Sequence, residues 1–183
     1  MNRSSVTTVI RPLEHGDIAA LQRIDRQAHG EAWSHAVFVD QIDRDCFRHL
    51  VAIVDEVVVG HAGTWTERGA LHITNVAIDP DATGAGLATD LLVALLAPIA
   101  DDSSGVERIV LEVRPRNRRA QRLYGRFGFS PGGIARGFYE RPDISGNRDA
   151  IVMQVGNPGD VAWRTRIQGL AAESTVRVEG AAA

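Results

Sequence analysis

The stretch that decides the fold is Asn75-Val76-Ala77-Ile78-Asp79-Pro80-Asp81-Ala82-Thr83-Gly84-Ala85-Gly86-Leu87-Ala88-Thr89. Leu71 to Ile78 is rich in β-branched and apolar residues and reads as a strand, stopped by Asp79-Pro80-Asp81. Thr83 to Gly86 is a Gly-rich turn, and Leu87, Leu91, Leu92, Leu95 and Leu96 recur at helical spacing. The first turn of a helix carries unpaired N–H groups and the positive end of the dipole, both of which favour a phosphate. Gly84 and Gly86 have no Cβ, so ligand oxygens can come close to the amides. The same glycines also suit a tight turn that needs only their backbone angles, and both readings stand on this segment. Thr89 occupies the place of the third glycine of a dinucleotide fingerprint, and no Gly-Lys-Ser/Thr follows to make a P-loop.

On the N-terminal side, Val6 to Ile10 reads as a short strand and Glu14 to Ala28 as a helix with Ile18, Leu21, Ile24 and Ala28 on one stripe. Ser34 caps a second helix carrying Val37, Phe38 and Ile42. Leu50 to Val54 and Val57 to Trp65 form a hairpin about Asp55-Glu56, and Arg68-Gly69 makes the next turn. On the C-terminal side, a loop at Asp101 to Gly105 leads to a strand, Val106 to Val113, broken by Pro115. Asn117 caps a helix with Ala120, Leu123, Tyr124 and Phe127 on one face, ended by Gly128. Phe129 to Tyr139 and Ala150 to Val155 read as late strands. This order is mixed α/β. At Gly156 the character changes, so the expected division is a domain over 1–155 and an appendage over 156–183, poorly ordered at its far end.

The chain has 183 residues, 44% hydrophobic and 23% charged, with a net charge of −3, which fits one globular domain without a global basic field for nucleic acid. All 20 basic residues are arginine, which excludes lysine-based covalent chemistry. Cys46 is the single cysteine, and the six histidines show no metal-ligand spacing, so no metal is expected. His49, His61 and His72 read as surface or satisfied core residues. Met1 to Thr8 lacks the apolar core of a signal peptide, and Leu91 to Ala100 contains Pro98 and is too short to span a bilayer. The expectation is a cytoplasmic protein with no membrane partner and no direct nucleic-acid binding.

Two further segments carry candidate chemistry. Glu112 lies in an otherwise apolar strand and shares a face with Val110. It is a desolvated carboxylate with a raised pKa, suited to act as a base, or an edge-strand charge facing water, or one paired with Arg114 or Arg108. Tyr124 sits at helical spacing with Ala120 and Phe127, which suits core packing as well as a catalytic hydroxyl. Arg118, Arg122 and Arg126 form a basic stripe, either a solvated helix face or a contact for cofactor phosphate or ribosomal RNA.

These segments, in this order, resemble the GNAT family of acetyl-CoA-dependent N-acetyltransferases, and within it the RimI group, which acetylates the N-terminal alanine of a ribosomal protein. The resemblance covers roughly residues 6–155. Its carriers are Arg26-Gln27-Ala28-His29 with Trp33-Ser34, Asn75 to Pro80, Gly86-Leu87-Ala88, Leu111-Glu112-Val113-Arg114, Asn117 with Leu123-Tyr124 and Gly128-Phe129, Phe138-Tyr139, and Asp149 to Met153. It implies a mixed sheet of about seven strands with flanking helices, in which the strand of Val76-Ala77-Ile78 splays from that of Glu112 and the pantetheine arm lies between them. It implies that the turn and helix start at Gly84, Ala85, Gly86, Leu87, Ala88 and Thr89 hold the pyrophosphate and that Asn117 contacts the arm. By the same resemblance Glu112 is the general base, Tyr124 the acid for the departing thiolate, and the Ile78 amide the oxyanion donor. Glu31, Trp33, Phe138 and Tyr139 stand where the acceptor wall is built, with the acceptor a protein N-terminus on a ribosomal protein. One departure is clear: Thr83 and Gly84 replace the long polar and basic residues of the family pattern, which weakens side-chain contacts to pyrophosphate. The alternatives are a GNAT enzyme for a small-molecule amine and a non-catalytic acyl-CoA-binding member.

Overall fold

Asp55 and Glu56 both adopt left-handed backbone, φ 48° and 66°, as do Arg68 and Gly69, φ 48° and 75°. Two consecutive positive φ values match the right-handed twist of an antiparallel ribbon, so each pair closes a tight hairpin. They join β2 (Phe47–Val54), β3 (Val57–Glu67) and β4 (Ala70–Ile78) into a meander. The structure, a computed structural model, describes residues 8–100 and 105–180. The expected strand start at Val6, most of the Asp101–Gly105 loop and the last three residues of the C-terminal segment lie outside the described residues.

The remaining elements are β1 (Thr8–Pro12), α1 (Ile18–His29), α2 (His35–Asp43), α3 (Leu87–Leu96), β5 (Arg108–Val113), α4 (Arg118–Arg126), β6 (Ser130–Ala135), β7 (Ala150–Val155), α5 (Val161–Glu173) and β8 (Arg177–Val178). The eight strands form one sheet in the order β6-β7-β5-β4-β3-β2-β1-β8, parallel at β4–β5 and β1–β8 and antiparallel elsewhere. Successive residues of a strand face opposite sides. Accordingly Val51 packs with Leu13, Ile18, Leu21 and Phe38 under α1 and α2. Its neighbours Leu50 and Ala52 join the larger core of Leu91, Leu92, Leu95 and Ile109 under α3 and α5. The resemblance implies about seven strands; the described residues form eight, the extra one being β8 at the edge of β1.

Two expectations change. The late strand from Phe129 is shorter: β6 ends at Ala135, and Gly137, at φ 63°, turns the chain while its N–H donates to Asp149 Oδ1 at 2.9 Å. Phe138 and Tyr139 therefore sit in the β6–β7 loop. The second concerns residues 156–183, expected as an appendage outside the domain. Instead α5, capped by Asp160, sends Trp163 and Ile167, 6% and 0% exposed, into the main core. The Trp163 indole N–H donates to the Phe127 carbonyl at 2.9 Å, and β8 then adds to the edge of β1. Helical spacing from Trp163 to Ile167 puts both on one face, which weighs more than the polar average of the segment.

Candidate active site

The site starts from a register irregularity. β3 pairs Gly63 with Asn75 but Thr64 with Ile73, so Thr74 is an extra residue in β4. A bulge bends its strand. The parallel ladder between β4 and β5 runs from Ala70↔Arg108 to Ile73↔Leu111 and stops at that bend. Beyond it β4 stays with β3 to Ile78, while β5 stays with β7 to Val113. The strands part, and a cleft of about 890 Å³ opens between them.

The cleft gathers residues that are far apart in sequence: Val76 from β4, Glu112 from β5, Asn117 and Tyr124 from α4, Glu31 and Trp33 from the α1–α2 connection, and Phe138 and Tyr139 from the β6–β7 loop. Ala77 and Ile78 continue β4 but do not line it, and neither does the α3 turn from Gly84 to Thr89.

Along β5, Ile109, Leu111 and Val113 are buried, while Val110 and Glu112 point the other way and are half-buried. Burial pushes the Glu112 carboxyl above its ordinary range, against an opposing pull from His72. Tyr124 is 8% exposed and packs edge-on against Phe129, with ring centroids 6.0 Å apart. Burial, and then Tyr139, push its phenol above the ordinary value, so it holds its proton at neutral pH. Asn117 caps α4, its Oδ1 accepting from the Ala120 N–H at 3.0 Å, so its NH₂ group is not used by the cap. Tyr139 is steadied by the Arg114 guanidinium, 3.8 Å above its ring centroid. Trp33 packs on Phe38 at 5.8 Å as well as lining the cleft, so it both staples α2 and shapes the wall. Glu31 faces Arg141 at 3.5 Å.

At the start of α3, Gly84 and Gly86 have φ of 94° and 87°, a conformation that L side chains rarely adopt. A Cβ on Gly84 would meet nothing within 4 Å, so the turn is open on its outer side, as an approaching phosphate requires. Asp79, tied to Arg23 of α1 and accepting from the Asp81 N–H, fixes where the chain leaves β4. Thr83 and Gly84 supply no cation here, but Arg126 of α4 does: its Nη1 donates to Thr89 Oγ1 at 3.4 Å. The basic stripe was visible in the sequence, but which arginine reaches α3 was not.

Sequence reasoning also missed a buried polar chain behind the cleft. His49 and His61 are 4% and 0% exposed and stack with centroids 5.1 Å apart. Gln41 Oε1 faces His49 Nδ1, His49 Nε2 lies 2.9 Å from His61 Nδ1, and His61 Nε2 lies 3.1 Å from Asp25 Oδ1. Asn75 Nδ2 donates to Asp25 Oδ1 at 2.9 Å, and Asn75 Oδ1 lies 3.2 Å from His29 Nε2. Asp25, Asn75 and His29 all line the cleft. Among the described residues no cluster of metal-ligating side chains forms and no helix is long and apolar enough to cross a membrane.

A family model described as the acetyltransferase (GNAT) family matches residues 18–129. The chain is 33% identical over 138 residues to the [ribosomal protein bS18]-alanine N-acetyltransferase of Salmonella typhimurium, covering 75% of this chain and 89% of that protein. It is 31% identical over 144 residues to the enzyme of the same name from Escherichia coli strain K12, covering 79% and 94%. The crystal structure of the ribosomal-protein-S18-alanine N-acetyltransferase from Escherichia coli superposes with a TM-score of 0.72 at 30% identity, covering 81% of this chain and 93% of that one. A phosphinothricin acetyltransferase from Sinorhizobium meliloti, in complex with AcCoA, shares the fold with a TM-score of 0.69 at 18% identity.

Proposed function

The chain belongs to the GNAT family of acetyltransferases, and from that premise we propose that it moves the acetyl group of acetyl-CoA to the N-terminal α-amine of a protein, an alanine-starting ribosomal protein of the bS18 kind. The observation that carries this reading is the splayed gap between β4 and β5. It has Glu112 and Tyr124 on its walls, and its mouth is lined by the α1–α2 connection and the β6–β7 loop. The similarity to bS18-alanine acetyltransferases over three quarters of the chain supports the choice of acceptor.

The residues present suit acetyl-CoA, which supplies an activated thioester. The open turn at Gly84 and Gly86, the first-turn amides of α3 and Arg126 would hold its pyrophosphate, and Val76 and Asn117 would line the path of its arm. An α-ammonium has a reference pKa of roughly 8 and must lose a proton before it can attack. Glu112, raised by burial, is placed to take that proton. Tyr124, whose phenol is held protonated by burial, is placed to give one to the departing sulfur. Trp33 and Tyr139 offer flat, steadied surfaces to an extended chain end. A ribosomal protein as acceptor places the reaction in the cytoplasm.

The test is acetyl-CoA turnover against peptides beginning with Ala, Ser or Leu, peptides with an internal lysine, and free polyamines and amino acids. Ala-starting peptides should lead, with leakage onto Ser, because a hydrophobic wall discriminates by only ~1–3 kcal/mol per methylene. Faster turnover of a free amine than of any peptide would remove the protein-acceptor reading.

A further inference from the structure

We propose that His29 is an acceptor-site residue whose Nδ1 receives an N–H of the incoming amine, and that Asp25 is the positioning residue that fixes its tautomer through Asn75. This rests on the amine-acceptor reading above.

The argument is a count of donors and acceptors along the chain of side chains. Asp25 is 1% exposed, on α1, and His61 Nε2 lies 3.1 Å from its Oδ1 on the core side. A carboxylate oxygen accepts only, so the Asn75 amide must turn its NH₂ toward Asp25, where the 2.9 Å hydrogen bond is made. That fixes the sense of the amide and leaves Asn75 Oδ1 pointing at His29 Nε2, 3.2 Å away. An oxygen at that distance requires the proton on Nε2. Neutral imidazole carries one N–H, so Nδ1 keeps its lone pair. His29 is exposed and lines the cleft together with Glu112, Tyr124 and Tyr139, so this lone pair is open to a donor there.

The inner end of the chain keeps Asp25 in place. Gln41 Oε1 accepts from His49 Nδ1–H, which leaves His49 Nε2 to accept from His61 Nδ1–H, so His61 pairs with the Asp25 carboxylate only as an imidazolium that carries its second proton on Nε2. Burial and the neighbouring His61 hold the His49 imidazole well below its ordinary pKa, so it stays neutral and keeps this sense. His61 Nε2 and Asp25 Oδ2 have no hydrogen bond of good geometry, and both are buried. Two such atoms are costly in a core and call for an explanation. Holding Asn75 at the bulge where β4 leaves β5 is what the pair does here.

The test uses the full chain labelled with ¹⁵N-histidine. At a pH where His29 is neutral, its Nε2 should carry the proton and its Nδ1 should be bare, and an Ala-starting peptide should shift Nδ1 more than Nε2. His29→Ala should raise the KM of that peptide about tenfold, the loss of one hydrogen bond to a charged group, with the KM of acetyl-CoA unchanged. Asp25→Asn should raise the peptide KM less, and should add nothing in the His29→Ala background, since it acts through His29. Asn75→Ala cuts the same link nearer the surface and serves if Asp25→Asn does not fold. A proton on Nδ1, additive losses, or peptide turnover untouched by His29→Ala overturns the assignment. If no N-terminal peptide is acetylated, the acceptor reading falls, whereas the tautomer of His29 is read from the spectrum without turnover.

Discussion

Replacing Trp163 by alanine measures how far the C-terminal helix belongs to the fold. The indole is 6% exposed, joins the main core with Ile167, and donates its N–H to the carbonyl of Phe127, a residue 0% exposed. Truncating a buried Trp to Ala costs about 3–5 kcal/mol through lost transfer energy and the cavity left behind. The orphaned carbonyl adds ~1 kcal/mol. The expected loss is therefore about 4–6 kcal/mol, a large share of the ~5–15 kcal/mol that holds a domain. For a chain of this size that corresponds to a fall in Tm of about 8–24 °C. Trp163→Phe keeps most of the buried area and should lose only the hydrogen bond and part of the packing, about 1–2 kcal/mol. Urea unfolding followed by circular dichroism gives both numbers. A loss under ~1 kcal/mol for Trp163→Ala would mean that the helix lies on a core complete without it. The measurement also bears on the site, because Phe127 closes the helix that carries Tyr124.

Glu112→Gln keeps the shape of the side chain but cannot take a proton, so the rate should fall by about 10²–10⁴-fold. Burial raises the Glu112 pKa, so wild-type kcat/KM should climb as pH rises through that raised value, and the variant should lack this limb. The same shift sets the sign for stability: a raised carboxyl contributes stability below its unfolded pKa and loses it as pH rises through the folded one. Unfolding at pH 7 should therefore show Glu112→Gln no less stable than wild type, and a marked destabilisation would contradict this. Tyr124→Phe should lower kcat by about 10²-fold or more while acetyl-CoA affinity by calorimetry stays level; unchanged kcat would remove the acid role. Arg126→Ala should weaken acetyl-CoA binding by about three- to tenfold at low salt and less at high salt, since the guanidinium at Thr89 is exposed and screened; equal affinity at low salt would mean that the α3 amides suffice.

What was legible in the sequence was local. Asp55-Glu56 and Arg68-Gly69 gave their hairpins because turn chemistry is set by adjacent residues. Asn117 and Ser34 gave their helix starts because a cap bonds within three positions. The alternation along β5 put Glu112 on the face away from Leu111, and the structure keeps it there. The ordered motifs from Asn75 to Tyr124 were enough to identify the family.

Everything that needed two distant segments was decided by tertiary structure. The bulge at Thr74 exists only in the register of β4 against β3, and it is what parts β4 from β5 and opens the cleft. Arg118, Arg122 and Arg126 look alike on a helix, and only the docking of α4 beside α3 singles out Arg126. His49 and His61 are ordinary strand residues until pairing brings them together and α1 sets Asp25 beside them. Residues 156–183 read as an appendage, and only the docking of α5, with the Trp163 N–H on the Phe127 carbonyl, ties them to the core. Periodicity and turns report interactions within a few residues, so they fix elements. A hydrogen bond across 50 positions, such as that of Asn75 to Asp25, depends on the whole chain having closed around it.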